Sequence, residues 1–238
     1  MNDKVLETLE YGKIKEQLTK FLATDRGNEI VGQLTPSASV DQVNQRLAQT
    51  ADGADIVRLK GEIPIPKLTE ISPYMKRLRI ENASLGGTEL AQITKLLRAV
   101  QVVSDFFADL QEEDVALKVL PQIVNRLTLL PDVTRRMLSS IDDDGRVLDG
   151  ASSELRAIRK SISATQGNIR SRMGKFIKGS DAKYLSEPII TVRDGRFVLP
   201  IKAEYKQRFG GIIHDQSASG QTLYVEPNTV VEMNNQLK

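Results

Sequence analysis

Cysteine is absent from the 238 residues and histidine occurs once, at His214. The first absence excludes disulfides, thiol catalysis and cysteine-ligated zinc; the second excludes a multi-histidine metal centre, so only a carboxylate site stays open. No apolar run approaches the roughly 18 residues that a membrane span requires. The opening Met1-Asn2-Asp3-Lys4 passes straight into an amphipathic pattern without a leader, which makes a cytoplasmic location the expectation. Internal repeats at solenoid periods and low-complexity segments are also missing. What remains is ordinary for a soluble globular protein, 40% hydrophobic and 27% charged, with room for one or two domains.

The most informative segment that is present runs from Tyr184 to Pro227 and is rich in strand formers. Ile189 to Val192 and Phe197 to Ile201 flank Arg193-Asp194-Gly195-Arg196, and Asp-Gly is a pair that reaches the positive φ values of a type I′ turn. This predicts a hairpin. A second pair follows, with Ile212 and Ile213 before Ser217-Ala218-Ser219-Gly220 and Leu223 to Val225 after it, closed by Pro227, which has no amide hydrogen for a ladder.

A long helix over about 150 to 178 leads into this segment. Leu148, Leu155, Ile162, Ile169 and Phe176 recur every seventh residue with Ala151 and Ile158 between them, the spacing of a helix packed along a partner. Thr165 and Arg172 break the intermediate row, and the stripe continues through Met173 to Ile177 in steps of four, so the seam drifts round the helix. Such a helix is roughly 40 Å long. Its expected partner begins at Asn228, a good N-cap, after which Val230, Met233 and Leu237 share one face. That pattern carries no stop signal before Lys238, so the returning helix is expected to extend further.

Net charge is only +2, but it is unevenly spread. Between Ser153 and Arg208 stand 13 Lys and Arg against 5 Asp and Glu, a net of +8, which leaves −6 for the rest. A one-sided field of this kind is what phosphate-backbone binding needs, because protein cations release counterions condensed on nucleic acid. Lys183, Arg193, Arg196, Lys202, Lys206 and Arg208, gathered on the strand-rich segment, are the candidate contacts.

The first 140 residues read as helical. Leu6, Leu9, Ile14, Leu18 and Phe21 form one face, Thr24 to Gly27 a weak spot, and Thr35-Pro36 a stop after Ile30, Val31 and Leu34. Ser39 caps a helix through Val43, Leu47, Ala51 and Ile56; two prolines make Gly61 to Pro66 an extended loop. Further helices are predicted at about 67 to 80, 87 to 110, 113 to 128 and 131 to 139. Several apparent motifs fail on spacing. Gly167 to Phe176 lacks the glycine and the Ser or Thr of a phosphate loop. Ser140, Asp142, Asp144 and Gly145 open like a calcium loop, but position twelve falls on Ala151; a polar turn before a helix capped by Asp149 is expected instead. His214, Asp215 and Ser217 hold the residue types of a hydrolase triad, yet neighbours on a strand point to opposite faces, which favours a structural or ligand-contacting histidine. The Ser217 to Gly220 turn could offer amides to an anion, as many simple turns could.

The stretch from Lys183 to Lys202, KYLSEPIITVRDGRFVLPIK, resembles the second bacterial paralogue family of MutS, the recombination-suppressing MutS-like proteins. So do Gly211 to Gly220, Glu226-Pro227, Leu9 to Ile14 and Val147 to Ser152, so that the resemblance covers essentially the whole chain. It implies a mainly α fold with a small antiparallel β insert: a helical core over 1–140, a lever helix over 141–182, a β-hairpin clamp over 183–227 and the start of a returning helix over 228–238. The family's ATPase, with ATP and Mg as cofactors, and its Smr nuclease would lie beyond Lys238, and no catalytic, cofactor or metal residue is carried onto these positions. It also implies binding to branched or double-stranded DNA or to ribosomal RNA, a homodimer in the longer protein, suppression of recombination, and action on collided ribosomes. A coiled-coil scaffold for protein partners is the alternative; an autonomous hydrolase is weaker than either.

Overall fold

A computed structural model describes residues 3–238. Met1 and Asn2, the start of the amphipathic opening, lie outside the described residues. The chain is mainly α-helical with one four-stranded antiparallel sheet. It divides into two compact units, one ending at Ala151 and the other running from Ser152 to Lys238.

The first unit is all helix and loop. α1 (Asp3–Thr8) and α2 (Tyr11–Thr19) occupy the first amphipathic stretch, and Glu10 in a left-handed conformation, φ 54°, divides it. α3 (Asp25–Gly32) starts where Thr24 accepts the Gly27 amide, so the expected weak spot is an N-cap. Ser39 caps α4 (Val40–Lys60), as its position predicts. The helix expected over 67–80 shrinks to α5 (Ser72–Arg77), because Leu68 pairs in extended form with the backbone of Ala23 and Asp25, and Pro73 fits only a first turn.

α6 (Gly87–Glu112) runs as predicted. The helix expected over 113–128 is reduced to α7 (Leu120–Val124): Asp114 turns left-handed, φ 56°, and the amides of Lys118, Val119 and Leu120 all donate to the carboxylate of Asp52 on α4. That captured carboxylate is buried among groups that otherwise pack by apolar contact, with Ile56, Phe107 and Leu110 at the centre. Burial raises the Asp52 pKa, but the three amide bonds outweigh it and hold the carboxyl below its usual value.

α8 (Pro131–Ser140) leads to a tight turn in which Asp142 accepts the amides of Asp144 and Arg146. Its carboxylate is thus engaged by backbone, as a polar turn requires. Gly145 meets Gly87 at the start of α6 so closely that a Cβ on Gly87 would lie 1.9 Å from the Gly145 carbonyl oxygen. Neither position can hold a larger residue without moving the turn.

The second unit opens with α9 (Ser153–Lys178). Its N-cap is Ser152, whose hydroxyl accepts the Leu155 amide, and not the expected Asp149, which sits one short 3-10 turn earlier. The strands are β1 (Thr191–Arg193), β2 (Arg196–Lys202), β3 (Gly211–Gln216) and β4 (Thr222–Pro227), ordered β1-β2-β4-β3. Asp194 and Gly195 turn β1 into β2 with φ of 48° and 74°, the double positive φ that the Asp-Gly pair predicts. The two predicted hairpins are therefore halves of one sheet, joined by β2 against β4, where Leu199 faces Val225 and Ile201 faces Leu223.

One face of the sheet packs on Ile169 and Met173, with Phe176 and Ile177 at the margin. These are the positions at which the stripe of α9 has drifted, while Ile158 and Ile162, higher on the same helix, stay 57% and 40% exposed. After β4 the chain returns to α9. Asn228 begins a 3-10 turn instead of capping, and α11 (Val231–Gln236) has no side-chain cap. Val230, Met233 and Leu237 join the α9 cluster, the face their spacing predicts.

Candidate nucleic-acid interface

The six candidate cations separate into two groups about 20 Å apart, since six residue steps of β2 divide Arg196 from Lys202 at about 3.3 Å each.

The hairpin arginines serve the fold. Arg196 Nη1 donates to Glu226 Oε1 at 2.8 Å and Nη2 to Asn235 Oδ1 at 2.6 Å, leaving its side chain 16% exposed. Glu226, fully buried on β4, also accepts from Asn234 Nδ2 at 2.7 Å and from His214 Nε2 at 2.6 Å. Burial pushes the Glu226 pKa up, yet the bonds from His214, Asn234 and Arg196 more than offset it, so the carboxyl lies below its ordinary value. Asn234 in addition accepts the Phe197 amide and donates to the Phe197 carbonyl. The network ties α11 to three strands of the sheet. Flanking a turn does not make Arg196 a free surface cation, as its place in the sequence suggests; its charge is spent on Glu226.

Arg193 is intermediate. Its Nε donates to Asp215 at 2.9 Å and its guanidinium lies 4.0 Å over the Tyr224 ring. A bulge between Ile213 and Asp215 turns His214 to Glu226 while Asp215 takes Arg193. The imidazole and the neighbouring carboxylate thus serve different partners, and the histidine is structural.

The other four cations gather at the opposite end of β2. Lys202 Nζ donates to the Lys183 carbonyl at 2.9 Å. Lys183 and Arg208 lie 5.1 Å and 4.5 Å from the centroid of Tyr184, and Lys206 begins α10 (Lys206–Phe209), the short helix that carries Arg208. Among the described residues none of the four is in an ion pair, and all are exposed. Lys175 and Lys178 stand in the last turn of α9, which also carries Phe176. Asp181 and Glu204 are the nearby acidic residues, too few to neutralise it.

Against Lys183 and Arg208 lies a cluster of rings absent from the charge-based expectation. Tyr184 is 4.7 Å from Tyr205 and 6.2 Å from Phe209, and Phe209 is 5.7 Å from Phe176. Tyr205 and Phe209 are four residues apart and share a helical face, a signal readable in the sequence; Tyr184 and Phe176 arrive from other elements and leave none. Basic side chains above aromatic faces can hold a phosphate backbone and offer bases a stacking surface.

No family model matches the chain. Over its full length it is 49% identical to the endonuclease MutS2 of Latilactobacillus sakei, 47% to that of Pediococcus pentosaceus and 48% to that of Ligilactobacillus salivarius. The chain spans 30% of the length of each of these relatives.

Proposed function

Since the chain corresponds over its whole length to part of MutS2, we propose that the unit from Ser152 to Lys238 is a sequence-independent nucleic-acid contact, made by Lys183, Lys202, Lys206 and Arg208. The observation that carries this reading is the grouping of four exposed cations, none in an ion pair among the described residues and two of them against the Tyr184 ring, while the hairpin arginines are neutralised by Asp215 and Glu226. Phosphates are the natural counter-charge for such a set, and phosphate contacts position a protein without encoding sequence. The ligand is DNA, duplex or branched, or ribosomal RNA; these differ in shape and sugar, which the cations do not read. On this reading the chain binds and does not cleave. Nucleotide hydrolysis with Mg and strand cleavage belong to the remaining length of the MutS2 proteins, and with them any part in suppressing recombination or in acting on ribosomes.

The test compares the protein with a Lys183→Gln/Lys206→Gln/Arg208→Gln variant by fluorescence anisotropy on a 30-base-pair duplex and on an RNA hairpin. Each lost contact removes counterion release, so a fall of at least about tenfold is expected on both. An unchanged affinity in a variant with unchanged circular dichroism would sink the proposal.

A second reading has its own support. Ile158 and Ile162 remain exposed on the apolar row of α9, as a seam for a protein partner or a second copy would require. Under that reading, sedimentation of the protein gives a dimer that Ile158→Lys/Ile162→Lys dissolves, and a salt-insensitive monomer counts against it.

A further inference from the structure

We propose that the recess between α10 and the end of α9 takes a single unpaired nucleotide and favours a base carrying an exocyclic amino group. The inference rests on the reading that this end of the unit meets nucleic acid, and it adds a ligand class that charge alone does not supply. The recess is about 300 Å³ and is lined by Phe176, Phe209, Arg208 and Asp181, at the small end of the volumes usual for ligand sites.

Three features converge on one ring-shaped guest. The Phe176 and Phe209 rings, tilted at 43° to one another, both line the recess. Base stacking on such a face tolerates every base. Arg208 lies against Tyr184 instead of pairing with Asp181 across the recess, which leaves the guanidinium at the rim for the phosphate of the same nucleotide. Asp181, half-buried, has no hydrogen bond or ion pair among the described residues, although it shares the recess with Arg208. A carboxylate there only accepts, so it favours the exocyclic amino groups of cytosine (N4), adenine (N6) and guanine (N2) over thymine or uracil, which offer it only an N3 proton between two carbonyls. In a duplex those amino groups are paired and the rings stacked, so the base must already be unpaired or be flipped out to enter.

The experiment measures the affinity of the protein for 12-residue oligo(dC), for oligo(dT) and for a duplex of mixed sequence, at one salt concentration. Oligo(dC) is expected to bind about tenfold more tightly than oligo(dT), the order of one base contact. Asp181→Ala, which removes an acceptor but no core contact, should abolish that ratio while duplex binding stays the same or tightens. Phe209→Leu, which keeps the apolar filling, should weaken both single strands about tenfold and the duplex by clearly less. Equal binding of oligo(dC) and oligo(dT), a ratio that survives Asp181→Ala, or a Phe209→Leu loss shared equally by the duplex each overturns the inference while leaving the contact surface standing. Failure to bind any of the three overturns both.

Discussion

Replacing Glu226 by Ala removes the acceptor on which the second unit converges. Arg196, with 16% of its side chain exposed, would keep only Asn235, and the His214 ring nitrogen would lose its acceptor. Breaking a buried ion pair from one side costs about 3 to 5 kcal/mol, and the residual solvent contact of Arg196 puts this case at the lower end, about 3 kcal/mol. At about 1.4 kcal/mol per decade, that is an increase of roughly 100-fold in the opening equilibrium of the sheet. Amide hydrogen exchange reads it directly, since the Phe197 amide donates to Asn234 and the β2 and β4 ladder lies beside it. Exchange of Phe197, Leu199 and Val225 should accelerate by about that factor, while amides of α4 and α6 stay unchanged. Glu226→Gln keeps the shape and part of the bonding and should fall between, near tenfold. An acceleration below about threefold in Glu226→Ala would refute the network as what fastens α11 to the sheet.

Four further outcomes follow from the same geometry. Asp52→Ala should cost about 1 to 3 kcal/mol and speed exchange at Lys118, Val119 and Leu120, which donate to it, without affecting β2 or β4. Asp52 and Glu226 both have depressed pKa values in the fold, so their stabilisation is complete above the ordinary carboxylate range and is lost as pH falls through the depressed values; acid unfolding monitored by circular dichroism should show stability declining only below that range. Gly195→Ala places a methyl group on a backbone at φ 74° with open space around it and should cost about 1 kcal/mol through conformation alone, seen as a lower unfolding midpoint with unchanged nucleic-acid affinity. Arg196→Glu sets a second carboxylate against Glu226 and should unfold the sheet, whereas Arg193→Glu, on an arginine with 34% exposure, should fold and change duplex affinity by less than about twofold.

Local signals in the chain proved readable and distant ones did not. Asp194-Gly195 announces its turn because only two positions need positive φ, and the drift of the α9 stripe from Ile162 to Ile169, Met173 and Ile177 is a property of spacing that the sheet then uses. The junction of the two hairpins through β2 and β4 carries no local mark, since Leu199 and Val225 are equally good partners for many strands. The same holds for Asp52: its acceptance of amides 66 to 68 residues away removes a helix that the apolar spacing of 113–128 favours. At the candidate site, charge density pointed to one segment but could not sort its members. Whether an arginine is free depends on a carboxylate elsewhere, and Glu226 lies 30 residues from Arg196. The aromatic floor was half legible, through Tyr205 and Phe209 on one turn, while Tyr184 and Phe176 come from separate elements.

The most direct test of the nucleic-acid contact is the salt dependence of binding to a mixed-sequence duplex, measured between 50 and 300 mM salt. Four phosphate contacts by Lys183, Lys202, Lys206 and Arg208 predict a straight line of log affinity against log salt with a slope near −3.6, about 0.9 for each contact, and Lys206→Gln should flatten it by about 0.9 while Arg193→Gln leaves it unchanged. A slope near zero, or one that Arg193→Gln reduces and Lys206→Gln does not, would contradict the assignment of the contact to Lys183, Lys202, Lys206 and Arg208.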